Sequence, residues 1–153
     1  MSREDYVELM QDFCKAIGFE EVGELLHQGV LQLDDTLIGI EYLDARKEIR
    51  LLMDLGDMEA EEDRVALFSV LLEFNSSNNG LYLPIFSMHP ESGHVIVAYH
   101  LPLKILRDQS IGLAFVLDEQ LIPLLDEWKS AIRQALDDVR SNSEALLPIG
   151  TLA

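Results

Sequence analysis

The sequence predicts an α+β fold in the order helix, three-strand antiparallel meander, helix, β-hairpin and long C-terminal helix. Three observations predict it. An amphipathic stripe lies near the start, three short alternating segments separated by turns fill residues 30 to 55, and apolar residues keep helical spacing through the last third. A chain of 153 residues is the size of one domain, which is expected over residues 1–140, with 141–153 reading as a frayed tail.

In the first element, Tyr6, Leu9, Met10, Phe13 and Ile17 fall on one helical face between Glu4 and Ile17. Ser2 with Asp5 three positions on forms a capping box, and Gly18 is placed to end the helix. The stretch Glu20 to Gln28 carries no decisive pattern. Val30–Leu33 then reads as a strand, Asp34-Asp35 as a turn and Thr36–Leu43 as a second strand. After the turn Asp44–Lys47, a third strand is expected over Glu48–Leu55, where Ile49, Leu51, Met53 and Leu55 alternate with other residues.

Asp57, Glu59, Glu61, Glu62 and Asp63 crowd the next segment without the central glycine and oxygen spacing of a calcium loop, so a solvated loop is expected. The following helix, Arg64–Asn75, is apolar on two sides. Val65, Phe68 and Leu72 form one stripe, and Leu67, Val70, Leu71 and Phe74 form another. A helix wet on one side needs one stripe, so the second calls for a further partner, most economically a symmetry mate. The loop 75–80 leads to two strands, Leu81–Met88 and His94–Leu103, apolar on both faces and joined by the turn Pro90–Gly93. Leu121, Leu124, Leu125, Trp128, Ile132, Ala135, Leu136 and Val139 place the last helix, and Pro123 leaves open whether it is one bent helix or two.

The net charge of −17, from 28 acidic against 11 basic residues, repels nucleic acid and anionic membrane. Met1–Tyr6 lacks the pattern of an export signal, and no apolar run is long enough to span a bilayer. Cys14 is the sole cysteine, which suits a reducing, cytoplasmic setting.

No residue set carries chemistry. His94 and His100 share a strand face but lie roughly 20 Å apart; His89 and His94 flank one turn without converging ligands; His27 reads as a surface residue. Cys14 sits near the negative end of its helix, where a thiolate is disfavoured. Phosphate loops, a nucleophile elbow and a dinucleotide fingerprint are all missing from the sequence. No catalytic residue, metal or cofactor is expected, and an enzyme using the acidic loop with a divalent cation is the least favoured reading.

Gly29-Val-Leu-Gln-Leu-Asp34, Leu71-Leu-Glu-Phe-Asn75, the Gly93 hairpin, Leu101-Pro-Leu103 and Trp128 follow one another in an order that resembles the Tir-chaperone family, the class I chaperones of bacterial type III secretion. The resemblance covers roughly residues 4 to 136, departing from the pattern at Ser76–Asn79 and Pro123. It implies a dimeric, bacterial cytoplasmic chaperone that holds the N-terminal segment of a secreted effector extended, and it leaves docking to a secretion ATPase open. On this reading Phe13, Leu31, Leu33, Ile38, Ile40 and Tyr42 contribute to effector-binding pockets. Leu67, Leu71, Phe74, Tyr82 and Phe86 are the expected dimer contacts, with ordinary core packing as the competing role for both sets. A YbjN-like regulatory domain is the alternative with the same element order.

Overall fold

The computed structural model describes residues 2–58, 64–80 and 82–152, with side chains described as far as residue 142. Helix α1 (Arg3–Ile17) is fixed at both ends by its sequence. Asp5 N–H donates to the Ser2 hydroxyl, the Asp5 carboxylate accepts from the Ser2 N–H at 2.6 Å, and Gly18 closes the helix at φ 75°. Residues that carried no clear pattern form α2 (Val22–Gln28), a helix without a side-chain N-cap. Gly29 ends it at φ 67°, and the Gly29 carbonyl then accepts from Ile40 N–H at 2.7 Å, turning the chain into the sheet. A Cβ there would lie 2.8 Å from the Ile40 carbonyl oxygen, so the junction admits only glycine.

Strands β1 (Val30–Leu33), β2 (Thr36–Leu43) and β3 (Glu48–Gly56) form the expected meander. Helix α3 (Arg64–Ser77) leads to β4 (Ile85–Met88) and β5 (Val95–Pro102), giving an antiparallel sheet of order β1-β2-β3-β5-β4. Strand β4 is shorter than expected. Tyr82 and Leu83 take positive φ (60° and 46°) and Pro84 brings no N–H, so pairing begins only at Ile85. Leu81 and most of the acidic run, residues 59–63, lie outside the described residues.

The chain passes directly from β5 into α4 (Leu103–Asp108) and then α5 (Leu113–Phe115). From there it stays helical through a wider π-turn at Val116–Leu121 into α6 (Ile122–Leu152). The question posed by Pro123 thus resolves as one continuous helix with an irregular turn just before the proline. The backbone of α6 runs past Ser141, where the tail was expected to begin.

Period-two alternation puts Ile38 and Ile40, Ile49, Leu51 and Met53, and Val95, Val97 and Tyr99 on one face, all buried beneath the helices. Helix α1 adds Tyr6, Met10, Phe13 and Cys14 to this core, and α6 adds Leu125, Ile132 and Leu136. The opposite face of the sheet keeps its side chains half-buried or exposed.

Candidate binding surfaces

The pocket residues expected from sequence lie together, on the helix-covered face. Phe13, Leu31, Ile38 and Ile40 are buried, while Leu33 and Tyr42 are half-buried at the margin. The Tyr42 ring stacks on Tyr6 of α1, 4.9 Å between centroids, which explains why this face of β2 is the covered one. These side chains support the surface from beneath. The other face of β2 carries Leu37, which is 51% exposed.

On that open face the strand register aligns one apolar row across all five strands. Val30 stands opposite Gly39, Gly39 opposite Leu52, Leu52 opposite Ala98 and Ala98 opposite Ile85. Leu52 packs close to Gly39, where an added Cβ would lie 3.3 Å from that of Leu52. Charged pairs border the row: Arg50 with Glu41, Glu48 with Arg46 and His100 at 3.2 Å each, and Asp54 with His94 at 3.0 Å. The Asp54 carboxylate, by hydrogen bond and charge, holds the His94 pKa above the ordinary histidine value.

The two sheet edges differ. Because Ile40 N–H bonds to Gly29 C=O, the alternation of an antiparallel ladder turns the N–H and C=O of Val30 and Gln32 away from β2. Strand β1 therefore presents an edge beside exposed Val30 that is unpaired among the described residues. At β4, the Asn75 side chain occupies the corresponding position: its Nδ2 donates to Phe86 C=O at 2.9 Å and its Oδ1 accepts from Phe86 N–H at 2.7 Å. Asn78 Nδ2 likewise donates to Pro84 C=O at 2.7 Å. Asn75, at the end of α3, and Asn78, in the polar segment that departs from the family pattern, thus occupy the β4 edge at Phe86 and Pro84.

Of the expected dimer contacts, Leu67, Leu71 and Phe86 are buried in this chain's own core. Phe74 is half-buried against Phe86 and Trp128, and half-buried Tyr82 donates its hydroxyl to Gln120 at 2.8 Å. The stripe with Leu67 and Leu71 is the one that α6 and β4 cover. Val65 (78%), Phe68 (44%) and Leu72 (68%) remain exposed instead. Phe68 and Leu72 border a groove of about 750 Å³ that runs between α3 and the β4–β5 hairpin.

No group of three or more histidine, cysteine or acidic side chains is arranged to hold a metal among the described residues. His89 Nδ1 accepts from the N–H groups of Glu91 and Ser92 at 3.3 Å each, which orders the hairpin turn. Cys14 is buried, and that burial raises its pKa, which disfavours a thiolate. No helix among the described residues is long and apolar enough to cross a membrane.

A model of the Tir chaperone protein (CesT) family matches residues 8–125, well over half of the chain. No curated protein matches the sequence. Among solved structures, a chain of the ExsC–ExsE complex superposes with a TM-score of 0.60 at 18% identity, covering 85% of this chain and 96% of its own length. A chain of the ExoT–SpcS complex from Pseudomonas aeruginosa aligns at 0.48 and 22% identity (80% and 96% covered). A chain of the HopA1–SchA chaperone–effector complex aligns at 0.48 and 17% (85% and 94%). At these identities the likeness is one of fold, carried by the first of the three.

Proposed function

This chain belongs to the Tir chaperone protein (CesT) family, and we propose that it is a type III secretion chaperone that binds the N-terminal segment of an effector and holds it extended. On this reading it acts by binding and carries out no covalent chemistry. The observation that carries the extended mode is the open β1 edge, with Val30 and Gln32 offering main-chain partners while Asn75 and Asn78 occupy the β4 side. Val30 and Leu37 supply apolar contacts beside that edge, half-buried Leu33 ends β1, and half-buried Tyr42 lies farther along β2 under α1, with Phe13, Leu31, Ile38 and Ile40 buried on the same face. The family match over residues 8–125 favours this reading over a YbjN-like regulatory domain.

The chain also pairs with a second copy on this proposal. The exposed α3 stripe of Val65, Phe68 and Leu72 forms the contact, with Leu67, Leu71, Phe74, Tyr82 and Phe86 shaping it from behind.

Co-expression with the products of neighbouring open reading frames, followed by copurification, tests the client reading. A client bound in a protease-sensitive, unfolded form is expected, and failure of every neighbour to copurify would overturn it. The substitution Gln32→Pro tests the edge, because it removes an outward N–H and leaves the β1–β2 ladder intact. Client binding is expected to be lost with the fold retained; undiminished binding would refute strand addition at β1.

A further inference from the structure

A cleft of about 330 Å³ opens between α1 and the α4–α5 turn; none of its lining residues belongs to β1, β2 or α2, and Phe13, which is buried beneath the sheet-edge surface, forms part of its α1 wall. Its interior is apolar: Leu9 and Phe13 line one wall, and Leu106, Ile111 and Leu113 the other. Leu9, Ile111 and Ala114 are only half-buried, so apolar surface remains open at the mouth. The room suits anchoring side chains rather than a folded partner.

The rim is one-sided in charge. Asp5, Glu8 and Asp12 follow at helical spacing along the α1 wall. The cation of the facing wall, Arg107, is already paired with Asp5. Glu8 and Asp12 are exposed and have no basic partner among the described residues. An apolar floor beneath uncompensated carboxylates complements a segment that carries apolar side chains on one face and lysine or arginine on the flank. A second copy of this chain, with a net charge of −17, is electrostatically disfavoured there.

We propose that this cleft is a second docking site, separate from the sheet edge, for a basic amphipathic segment of the client. Apolar anchors of that segment enter between α1 and α4–α5, and its basic groups meet Glu8 and Asp12. The inference rests on the client-binding reading above and adds the chemistry that the client must bring.

Two fluorescent peptides of identical helical periodicity test it on the full chain by anisotropy, one made only of leucine and lysine and the other only of leucine and glutamate. The lysine peptide is expected to bind at least about tenfold more tightly than the glutamate peptide. Filling the cleft with Ala16→Trp or Ala114→Trp, and reversing its rim with Glu8→Lys plus Asp12→Lys, should each weaken the lysine peptide by about tenfold. Ala16 is exposed and Ala114 half-buried, so one fill variant remains informative should the other misfold. The control pair Glu73→Lys plus Glu91→Lys, equal in charge and remote from the cleft, should change binding less than about twofold.

Absence of binding, unchanged binding to the filled variants, or an equal loss in the control pair would each overturn the proposal. A client that copurifies equally with wild type and filled variants would also refute the cleft while leaving the chaperone reading intact. If no client copurifies with wild type, the chaperone reading fails on its own account, and the peptides still decide the cleft.

Discussion

Trp128 Nε1 donates to the hydroxyl of Tyr99 at 2.9 Å, so the C-terminal helix is pinned to the middle of β5 by one polar contact inside an otherwise apolar core. Tyr99 is fully buried, and its burial raises its pKa to about 12. Trp128→Phe leaves that hydroxyl without its donor and is expected to cost about 1–3 kcal/mol in urea denaturation. Tyr99→Phe strands the indole N–H of Trp128 instead, but that residue is only half-buried and its N–H can reach water, so this variant should cost less. In the double variant the two effects should not add.

The His94–Asp54 pair on the open face makes stability depend on pH. Asp54 raises the folded pKa of His94 above its unfolded value, so the folded state holds the proton more tightly. The stabilisation is complete below the ordinary histidine pKa and is lost as pH rises through the elevated folded value. An NMR titration should therefore place the His94 midpoint above that of an ordinary histidine, with Asp54→Asn returning it. The stability difference between wild type and Asp54→Asn should shrink as pH rises across that window.

The exposed and buried stripes of α3 should respond differently to charge. Phe68→Glu or Leu72→Glu places a carboxylate on exposed surface and is expected to halve the mass seen by light scattering while leaving the circular dichroism unchanged. Leu71→Glu puts the charge into the core and should unfold the chain. A wild-type monomer at micromolar concentration would argue against pairing altogether.

Removing the Asn75 amide should destabilise the chain from outside its apolar core. Asn75→Ala leaves the N–H and C=O of Phe86 without their side-chain partners, at an expected cost of about 1–3 kcal/mol by chemical denaturation. Ser76→Ala, whose hydroxyl donates only to the Glu73 carbonyl within the helix, should cost far less.

Local signals were enough to place most elements. The Ser2–Asp5 box and Gly18 bracket α1, and the Asp34-Asp35 turn sets the β1–β2 hairpin in its observed register. Helix α2 escaped because its seven residues include Gly23 and its N-terminus has no side-chain cap. The start of β4 was misplaced because Tyr82 and Leu83 adopt a backbone that their residue types do not announce.

The candidate surfaces were legible only as sets. Alternation shows that Ile38, Ile40 and Tyr42 share a face, but that period has two equivalent sides. The packing of α1 on that face, seen in the Tyr6–Tyr42 stack and in the burial of Ile38 and Ile40, tells which side is covered. The two stripes of α3 are likewise equivalent in sequence, and only the packing shows that Leu67 and Leu71 are buried while Val65, Phe68 and Leu72 stay exposed. The row from Val30 to Ile85 needs the register of four strand pairs, which no local signal contains.

An amide on a helix that satisfies a neighbouring strand has a consequence for growth. Were both margins of the sheet free, each captured strand would expose a fresh template, and copies or guests could stack without limit into cross-β fibres. With Asn75 and Asn78 occupying the outward groups of Phe86 and Pro84, one margin is a poorer template than the other, and addition is biased to β1. A molecule shaped this way can hold a sticky, unfolded cargo without seeding its polymerisation.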